Sequence, residues 1–73
     1  MNQKQSEGAS DPLFDSAKAF VIDEQRGGIS MVQRKFKIGY TRAGKLVEAL
    51  EAVGVLSSPT REGHRAVLVA REA

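Results

Sequence analysis

Thr41, Lys45 and Glu48 stand at i, i+4 and i+7 in a stretch whose apolar residues, Ala43, Leu46, Val47, Leu50 and Val53, recur at helical spacing. The three polar residues therefore share one stripe opposite an apolar face. Each carries a group that matches a base-pair edge: the Lys ammonium donates to guanine O6 or N7, the Glu carboxylate accepts from cytosine N4, and Thr offers a hydroxyl and a methyl. Arg42, one position aside, suits a phosphate. The bland alternative is a solubilising face, with Lys45 and Glu48 as an i, i+3 pair worth about 0.2–0.5 kcal/mol. Against it, cations at the start of a helix and acids toward its end oppose the macrodipole, at a cost of ~0.3–1 kcal/mol per charge. Stability alone selects the reverse order.

The charges around this stripe are segregated. Arg26, Arg34, Lys35, Lys37, Arg42 and Lys45 occupy residues 26–45 with no acid among them, although the formal net charge of the 73-residue chain is only +2. The acids gather upstream, as Glu7, Asp11, Asp15, Asp23 and Glu24. A one-signed run builds an electropositive surface that suits a polyanion. Arg61, His64 and Arg65 extend the set, His64 being either a groove or phosphate contact or an idle loop histidine.

Other chemistries lack their residues. The chain has no cysteine, which removes disulfides, thiolate metal sites and cysteine nucleophiles together. A single histidine does not make a His-based metal site, so no cofactor is expected. Ser30 has no accompanying base, and Asp11 and Asp15 read as helix-start acids rather than a catalytic pair. The apolar runs at 19–22 and 66–70 fall far short of a membrane span, and the first ten residues, MNQKQSEGAS, lack the apolar core of a signal peptide. A cytoplasmic location follows as the expectation. With 73 residues, 41% of them hydrophobic, there is one small core and little room for a catalytic cleft. The composition thus points to a binding module, neither an enzyme nor a binder of small-molecule substrates.

The elements that must carry these residues are legible from punctuation and periodicity. Residues 1–10 are polar, with Ser6, Gly8 and Ser10, and read as a linker or disordered tail. Asp11-Pro12 announces a helix, since Asp accepts from free amides and Pro loses nothing at the first helical position. Leu13, Phe14, Ala17, Phe20 and Val21 follow at helical spacing, Ile22 falls off that stripe, and Gly27-Gly28 ends the segment. Ser30-Met31-Val32-Gln33 is a capping-box pattern that opens a second helix to about Phe36, burying Val32 and Phe36. Lys37-Ile38-Gly39 has the length of a helix-turn-helix connection, and a third helix is predicted over 40–53 with Gly54 as its stop. Residues 55–57 and 65–69 look like strands around a Pro- and Gly-containing loop at 58–64. Three helices and then a hairpin is the order of a winged helix-turn-helix, an α+β fold over residues 11–70, with Ile29-Ser30 as the candidate third strand and 71–73 as a tail. Arg34, Lys35 and Lys37 then lie where such a motif crosses the phosphate backbone, and Arg61, His64 and Arg65 lie about the wing. Gly44 costs about 1 kcal/mol relative to Ala inside a helix. It either permits close approach of DNA backbone or another helix, or is merely tolerated.

The order of motifs is also familiar. Asp11-Pro12-Leu13-Phe14-Asp15, then Ile29-Ser30-Met31-Val32-Gln33-Arg34, then Ile38-Gly39-Tyr40-Thr41-Arg42-Ala43 resemble the C-terminal gamma domain of FtsK/SpoIIIE-type DNA translocases. The likeness runs on through Leu46-Val47-Glu48 and Gly54-Val55-Leu56 to Gly63-His64-Arg65 and Val67-Leu68, and so covers about residues 11–69. The resemblance implies a winged helix that reads short, polar, G-rich chromosomal sequences and sets the direction of the motor. It also implies contact with the tyrosine recombinase that resolves chromosome dimers at the septum. In that family the base-reading positions usually hold Asn, Arg and Glu, where this chain has Thr41, Lys45 and Glu48, and Ala is usual at Gly44. Lys in place of Arg lacks the bidentate fork for guanine. No Walker-type phosphate loop accompanies the likeness. The chain is thus either the excised terminal domain of a large translocase, tethered to the inner membrane through its parent, or a free-standing relative such as a regulator from a mobile element.

The expectation is therefore sequence-directed binding of double-stranded DNA, by a domain that is monomeric in solution and loads in several copies per site, the resemblance implying three. The competing expectation is a protein-interaction winged helix with a vestigial DNA surface, whose partner is a recombinase or the translocase ring.

Overall fold

The computed structural model describes residues 8–71. Three helices form the body: α1 over Phe14–Glu24, α2 over Ile29–Phe36 and α3 over Tyr40–Ala52. Their apolar stripes meet in one core of Ala17, Val21, Val32, Ala43, Leu46, Val47, Leu50, Val55 and Leu56. Residues with no exposed surface, Leu46, Val47 and Leu50 among them, lie on the inner face of α3, which leaves its outer face to solvent. At the edge of the core the Phe20 and Phe36 rings meet edge to face, with centroids 5.9 Å apart, and join α1 to α2.

The helix ends differ from the sequence reading in instructive ways. Asp11 does accept an amide, but from Leu13 at 2.9 Å, in a turn that precedes regular helix by one residue pair. The first helix stops at Gln25, which takes a left-handed backbone (φ 56°), ahead of Gly27-Gly28. The second starts two residues earlier than the capping-box pattern implied: Gly28 is its N-cap and no side chain caps it, so Ser30 is inside the helix. Ile29-Ser30 is accordingly helical and not a strand. Lys37, again left-handed (φ 54°), ends α2, and Gly39 begins α3, so the connection has the predicted length. Ile22 packs against the core despite its place off the stripe, and Val53 is 56% exposed because α3 ends before it.

The hairpin is shorter than expected. Among the described residues there is no strand, only a single antiparallel bridge between Leu56 and Val67. Two backbone bonds flank it, Ser57 N–H to the Ala66 carbonyl at 2.9 Å and Leu68 N–H to the Val55 carbonyl at 2.7 Å. A longer ladder is blocked on both sides. The Val55 amide is still spent on the Leu50 carbonyl of α3, the Ala66 amide goes to Ser57 Oγ, and Pro59 has no amide to give. Arg65 then ties the pair of segments to α3, bonding Glu51 and, at 3.1 Å, the Ser57 carbonyl. That ion pair, followed by the Ser58 hydroxyl, holds the Glu51 carboxyl below the usual carboxylate range.

At the other end, residues 8–11 lie along α3 rather than apart from it. Gly8 is buried, and a β-carbon there would come within 2.1 Å of the Lys45 carbonyl oxygen, so only glycine fits. Of the segment read as a tail, 1–7 lie outside the described residues, whereas Gly8 belongs to the packed body.

Candidate nucleic-acid interface

The third helix begins at Gly39 without a side-chain cap and carries no acid in its first turn. Its inner face, Ala43, Leu46, Val47 and Leu50, is held by the core, and this fixes the opposite face by geometry alone. Thr41, Lys45 and Glu48 are all exposed there, as the spacing required. Gly44 is half-buried beside them. A methyl added at Gly44 would meet only the Ile29 Cδ1 atom, at 3.9 Å, an ordinary contact. No helix among the described residues thus needs Gly44 for close packing. Gly44→Ala is expected to stabilise the domain by up to about 1 kcal/mol, the helix-interior cost of glycine. That corresponds to a rise of about 4–8 °C in Tm for a domain of this size. A thermal melt checks it, and a lowered Tm would show that the glycine backbone is needed.

The remaining cations divide into groups that the sequence did not separate. Arg34 lines a cleft of about 530 Å³ with His64 and Arg65, between the start of α2 and the 58–64 loop. Arg26 lines the same cleft. It belongs to the basic run, but its loop position gives no periodic signal for which way it faces, so spacing could not place it. Lys35, next to Arg34 in the chain, is on another side of α2. Its Nζ lies 5.5 Å from the centroid of Phe20, a cation–π geometry, and it lines a groove of about 800 Å³ with Phe20, Phe36 and Arg71. Arg34 and Lys35 both lie in the last turn of α2, where cations complement the helix dipole. Lys37 is exposed in the turn, and Arg61 is exposed in a loop closed by Thr60 N–H to the His64 carbonyl at 2.7 Å.

Arg65 and Arg42, both predicted contacts, are held by carboxylates of the chain. Arg65 is largely covered, with 12% of its side chain exposed, and serves the Glu51 tie described above. Arg42 forms a two-bond fork with Asp11: Nε donates to Oδ2 at 2.8 Å and Nη2 to Oδ1 at 2.7 Å. The fork holds the Asp11 carboxyl down at about 2, the Arg42 hydrogen bonds being the main cause. Asp11 was legible as a helix-start acid; its partner 31 residues away was not.

The described residues contain no group of three or more His, Asp or Glu side chains able to hold a metal ion, and no helix long and apolar enough to cross a membrane. What they present is an exposed polar stripe on one helix face, an exposed guanidinium at its edge, and a basic cleft beside the loop.

Comparison with known proteins gives the family. The family model described as "Ftsk gamma domain" matches residues 8–70, and so begins at the buried Gly8. A protein named DNA translocase FtsK from Vibrio parahaemolyticus is 50% identical over 66 residues, which is 90% of this chain and 6% of that protein. The protein of the same name from Shewanella oneidensis is 52% identical over 64 residues, 88% of this chain and 7% of its own length. DNA translocase FtsK 2 from Neisseria meningitidis is 39% identical over 66 residues, again 90% of this chain and 6% of that protein. The chain therefore spans only a small part of the curated relatives it matches. The match over nearly all of its packed body nevertheless settles its family: this chain belongs to the FtsK gamma domain family.

Proposed function

We propose that the domain binds double-stranded DNA in a sequence-directed way through the outer face of α3, and so orients or loads a DNA translocase on short, polar, G-rich chromosomal sequences. One observation carries this reading: Thr41, Lys45 and Glu48 are exposed on one stripe while the opposite face of the same helix is fully buried. Such a helix, once docked, has only that stripe to offer a major groove. The turn and α2 supply Lys37 and Arg34 for phosphates, and Arg42 lies at the stripe's edge. In this reading the fold is a winged helix-turn-helix, with residues 57–66 as a minimal wing that brings Arg61 and His64 toward DNA. The names of the relatives support a role beside a translocase motor.

A single domain of this kind makes an interface on the order of 600–1,000 Å² and binds weakly alone at physiological salt. Several monomers loaded side by side on one site, held by a translocase ring at high effective concentration, would supply the missing affinity. A second reading, contact with a tyrosine recombinase, is favoured by the groove between α1, α2 and residues 69–71. Phe20, Ile22 and Phe36 line it and no residue of α3 does, so a protein could dock there while DNA occupies α3.

Arg34→Ala tests the DNA reading. Affinity should fall about uniformly across duplex sequences, and the log–log salt slope should become shallower by about one unit, the mark of one lost phosphate contact. Fluorescence anisotropy at several salt concentrations measures both. A loss confined to some sequences, with the slope unchanged, would place Arg34 elsewhere on the DNA.

A further inference from the structure

Arg42 is held more tightly than a surface cation needs to be. Its partner Asp11 is itself anchored, because Oδ1 also accepts the Leu13 amide at 2.9 Å. The carboxylate is 12% exposed and the guanidinium 47% exposed, so the acid lies beneath and the cation faces outward. The fork uses Nε and one hydrogen of Nη2. Of the five guanidinium N–H groups three remain, those of Nη1 and the second of Nη2, enough to grip a phosphate in the bidentate manner that suits arginine. An acid so near a DNA-facing helix is unfavourable for binding a polyanion unless it does something else.

We propose that Asp11 is a positioning residue for DNA binding: it fixes the Arg42 side chain at the edge of the α3 stripe so that its free N–H groups meet one backbone phosphate. This rests on the DNA-binding reading above and adds to it a residue of the wrong charge sign for direct contact. Holding the long side chain in advance removes rotamer freedom that docking would otherwise have to remove. The same carboxylate also supplies the acid that the first turn of α3 lacks. A purely structural role for Asp11 is thus the alternative to be separated.

Asp11→Asn is the informative variant, since its amide oxygen still accepts the Leu13 N–H while the ionic fork is lost. Affinity for a labelled duplex is measured by anisotropy for the wild type, Asp11→Asn, Arg42→Ala, Arg42→Lys and the Asp11→Asn/Arg42→Ala pair, each checked for intact helix content by circular dichroism. Asp11→Asn should weaken binding about three- to tenfold, although it removes a negative charge, because ordering the freed arginine now falls on the binding step. Arg42→Lys should lose a similar amount, having the charge but no fork. In the Arg42→Ala background Asp11→Asn should cause no further loss, and relief of the unpaired carboxylate's repulsion should leave binding unchanged or slightly tighter. Unchanged or tighter binding by Asp11→Asn overturns the proposal, and so does an equal loss in the Arg42→Ala background, which would mark Asp11 as structural only. Absence of any salt-sensitive duplex binding by the wild type would instead overturn the DNA-binding reading beneath it.

Discussion

Leu46→Ala should bring the domain to the edge of unfolding. Leu46 has no exposed surface and stands in the middle of α3, in one core with Ala43, Val47 and Leu50. Truncating such a leucine costs about 2–5 kcal/mol, from lost transfer energy and the cavity left behind. A domain of this length has a total stability of only about 4–11 kcal/mol. The midpoint of a urea titration should therefore drop steeply, and DNA binding should go with the fold. Leu46→Met, which keeps the volume, should cost less than about 1.5 kcal/mol. A midpoint for Leu46→Ala close to that of the wild type would mean that the core does not hold α3 as described.

The neighbouring residue should behave in the opposite way. Lys45→Ala removes an exposed side chain from the other face of the same helix, so the urea midpoint should barely move. Discrimination between duplexes should fall by about 1–3 kcal/mol at one base pair, the scale of one base-reading side chain. Competition against a panel of single-base variants reads this directly. Equal preference by Lys45→Ala and wild type across the panel would remove Lys45 from the reading stripe. Together the two variants separate the inner and outer faces of α3: one loses the fold and binding together, the other only selectivity.

Much of this was visible in the sequence, for a physical reason. Helix periodicity is a local property, so Leu46, Val47 and Leu50 declared the inner face of α3 and Thr41, Lys45 and Glu48 the outer one. Where long-range contacts decided the outcome, the local signal was insufficient. Ser30 has the pattern of a cap, but the chain enters α2 through Gly28, so the residue expected in a third strand is helical. The segments at 55–57 and 65–69 have strand composition, yet the Val55 amide remains bound to α3 and the ladder shrinks to one bridge. Arg42 and Arg65 were legible as cations, whereas their carboxylate partners, Asp11 and Glu51, lie 31 and 14 residues away. Gly8 lay within a polar stretch that reads as a tail, and only its burial against the Lys45 carbonyl explains why a glycine is there.

The central claim, sequence-directed binding of duplex DNA through α3, is tested most directly by titrating the unmodified domain onto two duplexes of equal length and composition. One carries a polar G-rich sequence and the other its scrambled form, each at low and at near-physiological salt. The account predicts tighter binding to the ordered sequence at both salts. It also predicts a log–log salt slope of about −3 or steeper, as three or more phosphate contacts from Arg34, Lys37, Arg42 and their neighbours require. Equal affinity for the two duplexes, or binding that does not change with salt, would contradict it.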